Sequence, residues 1–173
     1  MKKIFALLLG LLLMPVVSWG EGFYNPNSQS VESARLFKQY EQNKFAFAKE
    51  WDGKRVIVGG FVDKVDEGRI DGSFGKSPKY PYVMLKSLFR AYLVDQTDLD
   101  LANIAPGDGF AFDCQSIKAE DDGMYIQGIC KPAFQNRYTE DKKINTIYLT
   151  KDPEVQQFVF SEETRQRLWP DNK

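Results

Sequence analysis

Apolar residues recur at every second position in several short stretches of this chain, and this period predicts β-strands. The longest stretch covers residues 55–65, where Val56, Val58, Gly60 and Val62 lie on one face. Shorter strands are predicted at residues 80–85, 91–95, 110–117 and 124–131, separated by turn-rich segments. The pattern therefore predicts a mainly β fold with five strands.

Two other segments have a helical pattern. Residues 30–51 place apolar side chains near the helical period, and Ser30 is suited to cap the first turn, which predicts one amphipathic N-terminal helix. After the fifth strand, a sixth strand is predicted at residues 144–149, and Asp152 and Pro153 predict the start of a C-terminal helix.

The length of the chain is that of one domain, and its composition divides it into successive segments. A signal peptide is predicted at residues 1–20, a flexible lead-in at 21–29, the β domain with its helix at 30–132, and a C-terminal extension at 133–173. Residues 66–79 are polar and rich in turn formers, which predicts an exposed loop after the first strand.

Gly59 and Gly60 are adjacent in the middle of the first strand. Glycine at this place permits the sharp bend by which a strand of a small barrel pairs with two neighbours. The alternative is a weak point in an ordinary sheet. The length of the alternation around the two glycines favours the bend.

The first twenty residues have the pattern of a secretory signal peptide. Lys2 and Lys3 precede an apolar run at residues 4–17, and Ser18 and Gly20 are small residues at the positions that a signal peptidase recognises. The alternative is a membrane anchor, but the run is shorter than the roughly 20 residues that a spanning helix needs. The mature protein is therefore expected to be periplasmic or secreted, with membrane contact only through the signal peptide before cleavage.

Cys114 and Cys130 are the two cysteines of the chain. An exported protein is exposed to oxidising conditions, so a disulfide is expected. A turn near Asp122 would place the two cysteines opposite each other on neighbouring strands. The alternative is a metal or redox pair, but the chain contains no histidine and the spacing is not that of a Cys-x-x-Cys motif.

Charge and composition exclude several function classes. The chain after residue 20 contains 21 Lys and Arg residues and 24 Asp and Glu residues, so its net charge is −3. This negative charge argues against a general nucleic-acid binder. Without histidine, a histidine-based nucleophile pair is excluded. We predict no catalytic residue, no metal site and no cofactor.

Two acidic clusters are candidate sites. Four carboxylates lie in or near the first loop: Asp63, Asp66, Glu67 and Asp71. They could act as acid and base in a reaction, or they could simply be exposed to solvent in the loop. Residues 120–122, three successive acids, could hold calcium, but they lack the spaced ligands of a calcium loop and are predicted to form a turn.

Residues 40–131 resemble the tRNA-anticodon-like OB-fold family of exported bacterial proteins. The residues that carry the resemblance are Tyr40, Asn43, Ala48, Trp51, Asp52, Gly53, Lys54, the alternating positions of the first strand, Val83, Leu85, Pro106, Gly107, Asp108, Cys114 and Cys130. The resemblance implies a five-stranded OB-type β-barrel with an N-terminal amphipathic helix, to which this chain adds a C-terminal strand and helix extension. It does not imply tRNA binding.

OB barrels usually bind ligands on the face of their second and third strands. If Val83 and Leu85 point inward, the outward face and its framing loop contain the following residues: Phe74, Lys79, Tyr80, Tyr82, Met84, Lys86 and Tyr92. These aromatic rings could stack on a sugar, a peptide side chain or a base. The alternative is that the N-terminal helix or the C-terminal tail covers them.

These observations predict a non-enzymatic binding or accessory module for an unknown protein or envelope ligand. One alternative is a single-stranded nucleic-acid-binding OB protein, which basic residues near the face would support: Lys76, Lys79, Lys86 and Arg90. A second alternative is a hydrolase that uses the carboxylates of the first loop.

Overall fold

The computed structural model describes residues 24–70, 78–94, 99–120, 123–139 and 143–170. The strands in these ranges are β1 (Ser30–Glu32), β2 (Val56–Gly68), β3 (Tyr80–Leu85), β4 (Phe89–Tyr92), β5 (Gly109–Ala119), β6 (Ile126–Tyr138) and β7 (Ile144–Tyr148). The helices are α1 (Ser33–Gln42), α2 (Lys44–Trp51), α3 (Pro153–Val159) and α4 (Glu162–Leu168). The predicted signal peptide lies outside the described residues.

The strands form one sheet that closes into a ring, which confirms the predicted mainly β fold. From β2 the pairing runs through β3, β4, β6 and β5 and returns to β2. All of these pairs are antiparallel except β4 with β6, which is parallel. The strand predicted at residues 80–85 is β3, and the other predicted strands differ from the observed ones mainly in length.

β2 changes its pairing partner along its length. Val56 to Phe61 pair with β5, whereas the residues from Val62 onward pair with β3. Gly60 lies two residues before Val62, where the pairing changes, and a Cβ atom added there would meet Ser33 Oγ at 2.5 Å and Leu85 Cδ1 at 2.9 Å. The prediction that this strand pairs with two neighbours is confirmed.

The prediction of one long N-terminal helix is wrong, because Asn43 divides the segment into two helices. Its extended backbone ends α1, and its side chain accepts a hydrogen bond from the Ala46 amide at 2.9 Å and so caps α2. The cap predicted at Ser30 is also wrong, since Ser30 belongs to β1 and pairs in parallel with β2. Both helices still bury apolar side chains against the ring core, including Leu36 and Trp51.

β6 continues past Pro132, where pairing was predicted to stop. Phe112 pairs with Pro132 and Ala111 with Phe134, so the register shifts at this point. A bulge accommodates proline because proline has no amide hydrogen for a regular ladder. The domain boundary predicted after residue 132 therefore falls inside a strand, and the continuation of β6 supplies the pairing partner for β7.

The C-terminal extension packs on the outer face of the ring and forms a second core there. Its members are Ile57, Ala111, Ala133, Phe134, Val155, Val159 and Phe160. The predicted C-terminal helix is two helices, because the chain is extended at Phe160 and Ser161 caps α4. None of the helices in the described ranges is long and apolar enough to cross a membrane.

The described part of the predicted lead-in, which starts at residue 24, is hydrogen-bonded to the C-terminal extension. The Asn25 amide donates to the Val159 carbonyl at 3.0 Å, and Ser28 Oγ donates to the Phe158 carbonyl at 2.6 Å. Burial raises the pKa of Tyr24, whose ring lies 6.2 Å from that of Phe134. This part of the chain is therefore not the free lead-in that its composition predicted.

Arg55 and Lys131 connect the ring to the extension. Arg55 donates to both carboxylate oxygens of Asp113 within the ring, and it lies over the ring of Phe158 in the extension, 4.3 Å from its centroid. Lys131 donates to Asp152 at 2.6 Å, and this hydrogen bond lowers the pKa of Asp152. Asp152 also caps α3 by accepting from the Glu154 amide.

The predicted disulfide is confirmed. Cys114 and Cys130 are directly paired residues of β5 and β6, and their sulfur atoms are bonded. A disulfide across these strands restricts the unfolded chain and typically contributes about 2–4 kcal/mol to the free energy of unfolding. It is compatible with an oxidising compartment.

Gly60→Ala is expected to lower the free energy of unfolding by about 1–3 kcal/mol, because the new methyl group would overlap Ser33 and Leu85. Gly59→Ala is the matched control, since its nearest atom is the Phe110 carbonyl oxygen at 3.7 Å, an ordinary contact. Its expected effect is within about 0.5 kcal/mol. Urea unfolding measures both, and equal effects of the two variants would contradict the assigned role of Gly60.

Asp152→Asn is expected to make the free energy of unfolding vary less with pH in the acid range. The pKa of Asp152 is lowered below 3.8 in the folded protein, so its contribution is present above that pH and is lost as the pH falls through the folded value. Urea unfolding at neutral pH should show a small loss of the free energy of unfolding, under about 1 kcal/mol for a partly exposed pair, and this loss should shrink as the pH falls through the folded pKa of Asp152. Glu163→Gln, on the exposed side of α4, is the control, and a loss that stays constant with pH would contradict the prediction.

Candidate functional site

The predicted ligand-binding face lies on the outer side of β3 and β4. Val83 and Leu85 point into the main core, as predicted, whereas Tyr82, Met84 and Tyr92 form a separate cluster on the opposite face. Tyr82 pairs directly with Tyr92, and their ring centroids are 5.3 Å apart. The alternation within β3 therefore assigned these side chains to the correct faces.

The two tyrosines are buried. Tyr82 is 4% exposed and Tyr92 is 1% exposed. The sequence left open that the N-terminal helix or the C-terminal tail covers them, but the apolar cover comes from Ile70, Tyr80 and Tyr125. Neither ring offers a free surface for stacking a ligand.

Arg90 is the polar centre of this face. Its guanidinium group lies 3.6 Å from the ring centroid of Tyr125 and 5.2 Å from that of Tyr82. The same Nη1 atom donates to both carboxylate oxygens of Glu120, at 2.8 and 2.7 Å. Because the Glu120 side chain is only 6% exposed and that of Arg90 20%, the charge of Arg90 is neutralised within the protein.

Sequence reasoning missed the role of Glu120, which it assigned to a hairpin turn. Glu120 lies just after β5 and thirty positions beyond Arg90 in the sequence. No local spacing rule links residues so far apart; only the parallel pairing of β4 with β6, which follows that turn, brings them together. Asp121 and Asp122, the other acids of the calcium alternative, lie outside the described residues.

The hydroxyl groups of both tyrosines are bonded to the end of β2 and the residue after it. Tyr92 Oη donates to the Arg69 carbonyl at 2.9 Å, and Tyr82 Oη donates to Asp66 at 3.3 Å. Burial raises the pKa of each tyrosine. Gly68 packs so closely here that a Cβ atom would lie 2.9 Å from Tyr92 Oη.

Asp66 is one of the carboxylates that could act as acid and base, and its state opposes a general-acid role. Lys64 donates to it at 2.9 Å, and this hydrogen bond lowers the pKa of Asp66. A general acid at neutral pH needs a raised pKa. Asp71, the last carboxylate of that proposed group, lies outside the described residues.

A small cavity lies beside the cluster, on the side of β5 and β6. Its volume is about 130 Å³, and its lining residues are Ile70, Tyr92, Ser116, Lys118, Gln127, Gly128 and Ile129. Ser116 has a φ of 53°, a left-handed conformation that is unfavourable for serine, at the register shift between β5 and β6. Ile129 is 39% exposed, so it presents apolar surface to solvent beside the cavity.

The remaining predicted site residues are dispersed. Lys79 and Lys86 are exposed, with Lys86 in the turn between β3 and β4, and neither lines the cavity. Tyr80 is half-buried against the cluster. Phe74 and Lys76 lie outside the described residues. Within the described ranges, no group of three or more Cys, Asp or Glu side chains is placed to hold a metal ion.

Arg90→Met is expected to lower the free energy of unfolding by about 3 kcal/mol, because it removes the cation that faces the buried Glu120 carboxylate. The double variant Arg90→Met, Glu120→Met is expected to be more stable than Arg90→Met alone, since it removes the buried carboxylate as well. Urea unfolding of both single variants and the double variant measures the coupling. If the losses in free energy of unfolding caused by the two single variants simply add up in the double variant, the two residues do not act as a pair.

Comparison of this chain with protein-family models, with curated proteins and with solved structures finds no match. Its function therefore has to be argued from the chemistry and geometry of its own residues.

Proposed function

We propose that this protein is an exported, non-enzymatic binding module with an OB-type barrel, and that it binds a protein segment beside the outer face of β3 and β4. The strand order supports the fold. β5 lies beside β2, which is followed by β3 and β4, so the fourth strand of this set returns to the first, as in a Greek key. An OB barrel is a five-stranded Greek-key barrel.

The observation that carries the binding site is the cavity beside Tyr92. OB barrels bind ligands at their second and third strands, between the loop after the first strand and the loop joining the last two. Tyr92 belongs to β4, the third strand of the ring, and Ile70 belongs to the loop that follows β2. The cavity therefore lies at the edge of the expected binding face.

The size of the cavity favours a protein ligand over a small molecule. Small-molecule sites usually measure about 300–1,000 Å³, and this cavity measures about 130 Å³. Such a volume suits one side chain of a partner. Ile70, Tyr92 and Ile129 favour an apolar side chain.

A non-enzymatic role is supported by the residues near the face. The chain contains no histidine, and Asp66 is held ionised by Lys64. Export is supported by the leader pattern of residues 1–20 and by the Cys114–Cys130 disulfide. Single-stranded nucleic-acid binding has less support, because Tyr82 and Tyr92 are buried and Glu120 neutralises Arg90.

The test is affinity capture from envelope extract with the disulfide-intact protein as bait, followed by mass spectrometry. Ile129→Asp places a charge beside the cavity and is expected to reduce capture of the partner about tenfold or more. Phe45→Ser is the matched control, because Phe45 is an exposed apolar residue on α2 that does not line the cavity. Capture of the partner should be the same with Phe45→Ser as with the unchanged protein.

Two results would overturn the proposal. One is a partner that both variants capture equally well, which would place the interaction elsewhere on the surface. The other is salt-sensitive binding of a single-stranded oligonucleotide at micromolar protein, which would favour the nucleic-acid alternative.

A further inference from the structure

A second and larger cavity lies in the C-terminal extension. It measures about 630 Å³, within the range of about 300–1,000 Å³ that small-molecule sites occupy. Helices α3 and α4 form its walls together with the two residues that follow α4. None of its lining residues belongs to the cavity beside Tyr92.

The lining is polar but carries no net charge. Its residues are Pro153, Gln156, Gln157, Glu162, Arg165, Gln166, Trp169 and Pro170. Five of these eight side chains end in a planar amide, carboxylate or guanidinium group. The acid and the base form an ion pair with each other, so the cavity has no excess charge to attract an ion.

The polar groups are held in place by bonds among themselves. Glu162 accepts a hydrogen bond from Gln166 Nε2 at 2.8 Å through one carboxylate oxygen and pairs with Arg165 through the other. Arg165 Nε is buried and has no hydrogen-bond partner among the described residues. A buried donor without a partner is costly, and a ligand acceptor that reached it after a small side-chain movement would relieve that cost.

Trp169 supplies one flat apolar surface among these polar groups. Its ring packs at 5.5 Å from the centroid of Phe160 and at 5.9 Å from that of Tyr148, which fixes its orientation. A fixed aromatic ring loses little conformational freedom when a ligand packs against it. The cavity thus combines one rigid ring with several planar hydrogen-bonding groups.

We propose that this cavity binds a short neutral saccharide. A pyranose ring has an apolar face of C–H groups that can pack on Trp169, and hydroxyl groups on its rim that both donate and accept hydrogen bonds. Planar amide, carboxylate and guanidinium groups can each bond two adjacent hydroxyls. An acetamido group on the sugar would also match the glutamine amides.

Other ligand classes fit less well. A phosphate or another anion would need excess positive charge, which the Glu162–Arg165 pair removes. A lipid or another apolar ligand would cover five polar side chains without offering them hydrogen bonds in place of water. A proline-rich peptide needs a groove lined with several aromatic rings, and the one aromatic residue in this lining is Trp169.

The test is isothermal titration calorimetry of the disulfide-intact protein with a β-1,4-linked N-acetylglucosamine tetramer and with cellotetraose. Binding of at least one of them is expected, with a Kd that changes little with salt because the site is neutral. The variant Gln157→Ala, Gln166→Ala is expected to raise the Kd about tenfold or more, since it removes two side chains that would bond the sugar hydroxyls. Both side chains are exposed, so the fold should survive the change.

Gln115→Ala is the matched control, because Gln115 is an exposed glutamine on β5 that does not line the cavity. It should leave the Kd unchanged. Trp169 fluorescence gives a second readout, since Trp51 is buried in the ring core away from this cavity. The proposal is overturned if neither saccharide binds at millimolar concentration, if the double variant binds as well as the control, or if a proline-rich peptide binds in their place.

Discussion

The pairing of β2 with two neighbours at once is the constraint on which the rest of the structure depends. One half of the strand pairs with β5 and the other with β3, and this double pairing closes the ring. Closure requires close approach at Gly60, where Leu85 and Ser33 occupy the space that a side chain would need. The disulfide then fixes the register of β5 and β6, the strands that complete the ring.

Ring closure also explains why the expected binding face is covered. The parallel pairing of β4 with β6 brings the turn before β6 next to β4, so that Glu120 reaches Arg90 and Tyr125 packs under its guanidinium group. Tyr82 and Tyr92 become part of a small core instead of a stacking surface. The surface near this face that a ligand can reach lies at the cavity beside Tyr92, where Ile129 is exposed.

The C-terminal extension has two consequences for the molecule. It covers the outer face of β2, β5 and β6 with a second core, and the Arg55–Asp113 and Lys131–Asp152 pairs flank this contact. Because α3 and α4 are separated by an extended residue at Phe160, they also enclose a cavity of about 630 Å³ between them. The proposed saccharide site thus depends on the same break that lets the two helices pack on the ring.

The sequence by itself determined the features that depend on short-range periodicity. The alternation around Val83 and Leu85 predicted β3 and the faces of its side chains, and equal distances from a turn predicted the disulfide. Only the tertiary structure decided that Asn43 divides the helix, that Pro132 lies at a bulge, and that Glu120 pairs with Arg90. Burial and the pairing of charges distant in sequence depend on which strands and helices contact each other in the folded protein. The periodicity of apolar residues along the chain does not specify these contacts.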